Sequence, residues 1–114
     1  MVTPGPASII VMPFPFSDLS STKLRPALVL ADAQRDDWLL CQLTSNPYGD
    51  PSAIKITHAD LQRGTLDALS FARPLKLFTA NKSLMLKRVA IPNDATFKAV
   101  LALLIQALQQ NMPA

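Results

Sequence analysis

The stretch RPALVLADAQRDDWLLCQLT, residues 25–44, decides the fold of this chain. It contains two short apolar runs, Arg25 to Ala31 and Trp38 to Thr44, on either side of the charged segment Asp32 to Asp37. Short apolar runs separated by a polar turn are typical of two β-strands that form a hairpin with a buried face. The strands of a hairpin run in opposite directions, so the residue that opens the first run lies beside the residue that closes the second.

The rest of the chain predicts further short strands. Five of the ten prolines fall within the first 26 residues, where they exclude a helix. Strands are predicted at Ser8 to Phe14, Ala53 to Thr57, Leu69 to Leu77 and Met85 to Ile91, with a helical turn at His58 to Arg63 and a turn or short helix at Thr79 to Leu84. Several short strands at close spacing favour a small, mainly β barrel.

A different period begins after Pro92, where Asn93 or Asp94 can cap a helix. The apolar positions that follow have helical spacing and are predicted to pack on the barrel: Phe97, Val100, Leu101, Leu104 and Leu108. Leu103 and Ile105 widen this apolar stripe. Two interpretations remain open, a wide core face or burial against a second subunit.

Length and composition bound the possible functions. The chain has 114 residues and 12.4 kDa, of which 49% are hydrophobic and 17% charged, so we expect a single folded domain over residues 1–114. With one His, one Cys and no Glu, the sequence cannot supply a Cys/His zinc cluster or an internal disulfide. We expect no metal and no cofactor. The sequence has neither a signal-peptide pattern nor a membrane-span pattern, which predicts a cytoplasmic protein and no membrane association.

The net charge of +3 is unevenly distributed. Residues 1–54 carry three basic and five acidic side chains, a balance of −2, whereas residues 55–114 carry eight and three, a balance of +5. A polyanionic partner and an ordinary solvated surface both fit this distribution.

The candidate chemistry lies at the two ends of the predicted hairpin. Phosphate-binding glycine loops and nucleophile elbows are missing, but Arg25 and Thr44 are predicted to be neighbours at one end of the sheet. A guanidinium and a hydroxyl held together can bind a phosphate, and the same two residues also fit a strand-end arginine and a turn cap. Alternation along the second strand predicts that Cys41 is a core thiol, and that Gln42 shares a face with Thr44 where it can line a groove for base edges.

Four blocks of the sequence resemble the PemK/MazF toxins of type II toxin–antitoxin systems. In chain order they are Val11 to Leu19 (VMPFPFSDL), Lys23 to Leu30 (KLRPALVL), Cys41 to Ser45 (CQLTS) and Ala72 to Thr79 (ARPLKLFT). The resemblance covers about residues 9–91, with the blocks in the family's order and spacing.

The resemblance implies a small SH3-like barrel with short helices and a C-terminal helix. It also implies a homodimer that is neutralised by a cognate antitoxin lying along the toxin's groove. The implied activity is metal-independent, sequence-selective cleavage of single-stranded RNA such as mRNA, leaving a 2′,3′-cyclic phosphate and a 5′-hydroxyl. The alternatives are a non-catalytic toxin on the same barrel that binds DNA gyrase, and an inactive homologue that only binds an antitoxin or RNA.

Residue by residue, the resemblance implies that Arg25 and Thr44 are catalytic. The RNA-binding residues are predicted to be Phe16, Lys23, Gln42, Ser45, Arg73 and Lys76, where Gln42 rests on strand alternation and the others on the family blocks. His58 is the remaining candidate for a proton acceptor, although an exposed structural role also fits. In one departure from the family, Ala7-Ser8 replaces the Gly-Asp that usually opens the first strand. A carboxylate that could orient the site is therefore missing.

Overall fold

The computed structural model describes residues 4–14 and 23–114. Within them the chain forms seven β-strands, two 3-10 turns and one α-helix. The strands are β1 (Ile9–Pro13), β2 (Leu24–Gln34), β3 (Asp37–Thr44), β4 (Ile54–Ile56), β5 (Leu61–Gly64), β6 (Ser70–Asn81) and β7 (Lys87–Pro92). The 3-10 turns are His58–Asp60 and Lys82–Leu84, and the helix α1 is Asp94–Gln110.

All seven strands belong to one antiparallel sheet with the order β4-β6-β3-β2-β1-β7-β5. The prediction of a mainly β fold with a C-terminal helix is confirmed. The described strands do not close into a continuous ring, because β4 and β5 each pair on one side only and form the two edges of the sheet.

The sheet carries a hydrophobic core on each face. The helix core lies between the sheet and α1 and consists of Ile9, Leu28, Leu30, Cys41, Leu43, Ile56, Ala72, Ala90, Val100 and Leu104. The second core consists of Ile10, Met12, Phe14, Ala27, Val29, Leu40, Phe78, Ala80 and Met85. Consecutive residues of β3 alternate between the two, because successive side chains of a strand point to opposite faces.

The predicted helical turn from His58 to Arg63 is only half correct. A 3-10 turn covers His58–Asp60, where the Asp60 carboxylate accepts hydrogen bonds from the backbone N–H (2.8 Å) and the hydroxyl (2.9 Å) of Thr57. The chain then extends into β5, which pairs with β7 and was not predicted as a strand. Gly64 ends β5 with a φ of +79°, and a Cβ there would collide with the carbonyl oxygen of Val89.

Helix α1 begins after Asn93, whose side chain accepts a hydrogen bond of 2.9 Å from the backbone N–H of Thr96. Val100 and Leu104 are buried against the sheet. The prediction that Leu108 also packs on the sheet is wrong, because Leu108, in the last turn of α1, is 63% exposed. Among the described residues, no helix combines the length and the hydrophobicity needed to cross a membrane.

Candidate functional site

When the β2–β3 register is extended by two residues beyond its first pair, it aligns Arg25 with Thr44. These strands are antiparallel, and Ala27 pairs with Gln42. Each step back along β2 matches a step forward along β3, so two further steps in the same register reach Arg25 and Thr44. Residues opposite one another in an antiparallel pair share a face and have Cβ atoms about 4.5–5.5 Å apart. The predicted proximity of these two residues agrees with this register.

Both residues lie on the sheet face that α1 does not cover. Cys41 and Leu43 belong to the helix core, so Gln42 and Thr44 face the other way. Arg25 has the same parity on β2 as Ala27, a member of the second core. We call the part of this face that carries Arg25, Gln42 and Thr44 the open face.

Arg25 is half-buried at the start of β2. Its guanidinium has no hydrogen bond or ion pair within the described ranges, 4–14 and 23–114. A guanidinium carries five N–H donors and a permanent positive charge. Since these donors have no partner in the part of the chain that the structure describes, the position suits an anionic ligand with several oxygens, such as a phosphate.

Thr44 is 6% exposed and already makes two local hydrogen bonds. Its Oγ1 donates to the backbone oxygen of Asn46 at 3.1 Å and accepts from the backbone N–H of the same residue at 3.2 Å. A hydroxyl has one proton to donate, so Thr44 has to turn away from the Asn46 oxygen in order to donate to a ligand. The neighbouring Ser45 is exposed at the start of the loop that follows.

A second group of side chains, the Arg73 cluster, occupies the same face beside Gln42. It comprises Gln42, Tyr48, Asp50 and Arg73. Arg73 donates from Nε to Asp50 Oδ2 and from Nη1 to Gln42 Oε1, both at 2.9 Å, and its Cζ lies 5.9 Å from the centroid of the Tyr48 ring. The hydrogen bond from Arg73, followed by one from the backbone N–H of Ser52, lowers the pKa of Asp50 below its usual value.

Strand pairing adds two residues that the sequence analysis missed. Thr44 pairs with Phe71 on β6, and Phe71 pairs with Lys55 on β4. Thr44, Phe71 and Lys55 therefore form one row across three strands of the open face, and the extended β2–β3 register aligns Arg25 with the same row. Alternation in the AIKIT segment predicts an outward Lys55, but no local pattern predicts that β4 pairs with β6.

Strand pairing within the described residues does not join the other predicted binding residues to this row. Lys76 is exposed in an irregular part of β6, where residues 74–76 have no partner on β3 because Gln42 pairs with Arg73 and Cys41 with Leu77. Lys23 is exposed just before β2, and its backbone oxygen accepts from the Phe14 N–H at 3.2 Å. Phe16 lies outside the described residues.

His58 is not brought to this site. It is exposed and lines a cleft of about 290 Å³ together with Ile56, Leu61 and Leu66, which pack on or belong to the helix core. The cleft is therefore on the other face of the sheet from Arg25. Cys41 is fully buried, as predicted, and burial raises the pKa of its thiol to about 12. Within the described residues no three His, Cys, Asp or Glu side chains converge into a group that could hold a metal ion.

The Ala7-Ser8 departure from the family's Gly-Asp lies at the opposite end of β1 from Arg25. Ser8 precedes Ile9, which pairs with Leu28, whereas Arg25 pairs with Met12 at the other end of β1. Four residues of strand separate the two rows, about 13 Å. Ala7 has a φ of +69°, a left-handed conformation that glycine adopts more easily than alanine.

The geometry defines a class of protein: a small antiparallel sheet with a helix on one face and a half-buried arginine on the other. A profile of the PemK-like, MazF-like toxins of type II toxin–antitoxin systems matches residues 6–108. The chain therefore belongs to this toxin family, as the sequence blocks indicated.

Solved structures with the same fold include several toxins of this kind. A MazE–MazF complex from Deinococcus radiodurans superposes with a TM-score of 0.73 at 18% identity, covering 93% of this chain and 96% of the other. An endoribonuclease in complex with its cognate antitoxin, from a mycobacterial species, gives 0.70 at 14% identity and covers 96% and 97%. The Mycobacterium tuberculosis toxin MazF-mt6 gives 0.68 at 13% identity and covers 90% and 96%. Curated protein sequences give no match.

Proposed function

We propose that this toxin is an endoribonuclease that cleaves single-stranded RNA without a metal ion. In the proposed reaction the RNA's 2′-oxygen attacks the adjacent phosphorus and the bond to the 5′-oxygen breaks. The products are a 2′,3′-cyclic phosphate and a 5′-hydroxyl. The observation that carries the proposal is Arg25, a half-buried residue whose guanidinium has no partner among the described residues and which aligns with Thr44 when the β2–β3 register is extended.

Arg25 and Thr44 have different roles in this proposal. Negative charge develops on the non-bridging oxygens in the transition state, and preorganised donors stabilise it. Arginine side chains stay charged in proteins, so Arg25 contributes charge and a two-pronged hydrogen bond rather than acting as a base. Thr44 adds one hydrogen bond to the same phosphate after it releases the oxygen of Asn46. The group that takes the proton from the 2′-hydroxyl is not assigned.

The RNA is proposed to run along the open face. Lys23, Gln42, Ser45, Arg73 and Lys76 are the proposed binding residues from the sequence, together with Phe16. Lys55 joins them, because it lies in the row of Thr44 but two strands away, about 10 Å across the sheet. In this proposal its ammonium binds a phosphate outside the cleaved position, and Phe71 between Thr44 and Lys55 offers an aromatic surface.

A cognate antitoxin and a second copy of the chain are the proposed partners, in the cytoplasm where mRNA is present. Related folds have been solved as complexes with an antitoxin, which supports an antitoxin partner for this chain. An acidic antitoxin segment on the open face would compete with RNA for Arg25. The proposed dimer contact is the apolar strip that α1 leaves exposed, formed by Ile105, Leu108 and Met112.

The experiment that tests the proposal is incubation of the purified protein with single-stranded RNA in EDTA, followed by end-group analysis. Cleavage that leaves cyclic phosphate and 5′-hydroxyl ends, and that the Arg25→Ala variant lacks, would support the proposal. RNA that is bound but uncut would indicate a binding protein. Cleavage that stops in EDTA would indicate a metal-dependent reaction and contradict the proposal.

A further inference from the structure

We propose that Tyr48 is the residue of this site that stacks on an RNA base, and that Asp50 and Arg73 position it. This inference rests on the proposed endoribonuclease function and names a specificity-determining residue for it. Tyr48 is 65% exposed in the loop that joins Thr44 to β4. An aromatic ring that is left in solvent beside a basic surface is typical of single-stranded nucleic acid sites.

The loop is tied to Thr44 by consecutive hydrogen bonds. Thr44 exchanges two hydrogen bonds with the backbone of Asn46, and the Asn46 side chain accepts from the backbone N–H of Tyr48 at 2.9 Å. The backbone N–H of Asp50 donates to Pro47 at 2.9 Å. The position of Tyr48 is therefore coupled to that of the proposed catalytic hydroxyl through a short and fully bonded turn.

Arg73 fixes the other side of the loop. Its Nε–Asp50 ion pair and its Nη1–Gln42 hydrogen bond attach the loop to β3 and β6, with both side chains of the ion pair largely buried. The guanidinium carbon is 5.9 Å from the centroid of the Tyr48 ring, which is within the range of a cation–π contact. The guanidinium thus supports one side of the ring, while the exposed side remains available for a base.

The backbone of Tyr48 is restricted in this arrangement. It has a φ of +54° and is followed by Gly49 at +72°, so two successive residues adopt the left-handed conformation. The turn holds the Tyr48 side chain outward. Packing against the rest of the protein does not explain this position. The nearby positive charges of Arg25 and Lys55 on the same face favour an RNA strand as the ligand that covers the ring.

Fluorine NMR tests the stacking directly, because the chain contains one tyrosine. The protein labelled with 3-fluorotyrosine gives one signal, which belongs to Tyr48. Titration with an RNA that carries 2′-O-methyl groups, and so cannot be cleaved, is expected to shift this signal in parallel with binding measured by fluorescence anisotropy. A signal that stays unmoved at saturation would overturn the inference.

Substitutions give the size of the effect. Loss of one base–aromatic contact corresponds to a decrease in affinity of about 5- to 150-fold. Tyr48→Ala is expected to raise Kd and KM within that range and to change kcat less, while Tyr48→Phe stays within about twofold of wild type. The control is Leu84→Ala, which removes a side chain that is 50% exposed at the other end of β6 and should leave RNA binding unchanged.

Asp50→Asn tests whether Asp50 positions Tyr48, because two explanations of its role predict changes of opposite sign in RNA affinity. If Asp50 only repels RNA, the loss of its negative charge improves binding. If Asp50 holds Arg73 and Tyr48 in place, binding weakens, and Asp50→Asn adds no further loss once Tyr48 is Ala. Improved binding, or additive losses in the double variant, would overturn the positioning role.

The outcomes separate this inference from the proposed function. A wild-type protein that cleaves RNA at the same rate and with the same KM as Tyr48→Ala would overturn the inference alone. A wild-type protein that neither cleaves nor binds RNA would overturn both.

Discussion

Arg73 and Asp50 are 23 residues apart in the chain and form an ion pair of 2.9 Å. The pair joins β6 to the loop that follows Thr44, at the edge of the open face. Neither residue type nor spacing marks this contact in the sequence. It is the structural feature that places the loop beside the candidate site, and it gives the site a measurable dependence on pH.

The ion pair predicts a specific loss of stability in acid. The pKa of Asp50 is lowered from 3.8 in the folded protein, mainly by the hydrogen bond from Arg73. A carboxyl group whose pKa is lowered in the folded protein stabilises the fold at a pH above its pKa in the unfolded chain. This contribution is lost as the pH falls through its pKa in the folded protein. Thermal unfolding of wild type and Asp50→Asn should therefore differ by a constant amount above about pH 5, and the difference should shrink as the pH falls below about 4 and passes through the folded pKa. A difference that does not shrink as the pH falls would contradict the prediction.

The role of the Thr44 hydroxyl in cleavage can be tested separately from its role in the turn. Thr44→Val removes the hydroxyl and should slow cleavage by roughly 10²–10³, by analogy with the loss of one transition-state donor. Thr44→Ser keeps the hydroxyl and should recover most of the rate, and Ser45→Ala should matter less. Circular dichroism and unfolding of the same variants show whether the turn persists. Greater damage from Ser45→Ala than from Thr44→Val would assign the role to Ser45.

Cys41 is predicted to be chemically inert in the folded protein. It is fully buried and its pKa is raised to about 12, so almost no thiolate is present at neutral pH. Iodoacetamide at pH 8 should leave the native protein unmodified and label it in denaturant, as read by mass spectrometry. Labelling of the native protein within minutes would contradict the placement of Cys41 in the helix core.

Substitutions at two backbone positions are expected to change the stability of the fold in opposite directions. Gly64→Ala forces a Cβ against the Val89 carbonyl at a φ of +79° and should destabilise the fold by about 1–3 kcal/mol or more. Ala7→Gly relieves a φ of +69° and should stabilise it by up to about 1 kcal/mol. Urea unfolding measures both. Equal stability of wild type and Gly64→Ala would contradict the position assigned to β5.

Local sequence patterns predicted the contacts between segments that are close in the chain. The apolar runs on either side of residues 32–37 predicted the β2–β3 hairpin, and alternation placed Cys41 in the core and Gln42 on the other face. Pairing between distant segments was not predictable in this way. Phe71 joins the row of Thr44 because β6 pairs with β3, and Lys55 joins it because β4 pairs with β6. Leu108 has helical spacing but is 63% exposed.

The central claim is that Arg25 stabilises the charge on a cleaved RNA phosphate. The most direct measurement is the single-turnover cleavage rate of a defined single-stranded RNA in EDTA, for wild type, Arg25→Ala and Arg25→Lys. All three should unfold alike, since Arg25 makes no hydrogen bond or ion pair to another described residue. We expect cleavage by wild type, none by Arg25→Ala and little recovery by Arg25→Lys, because an ammonium cannot form the two-pronged contact. Cleavage by Arg25→Ala at the wild-type rate would contradict the account.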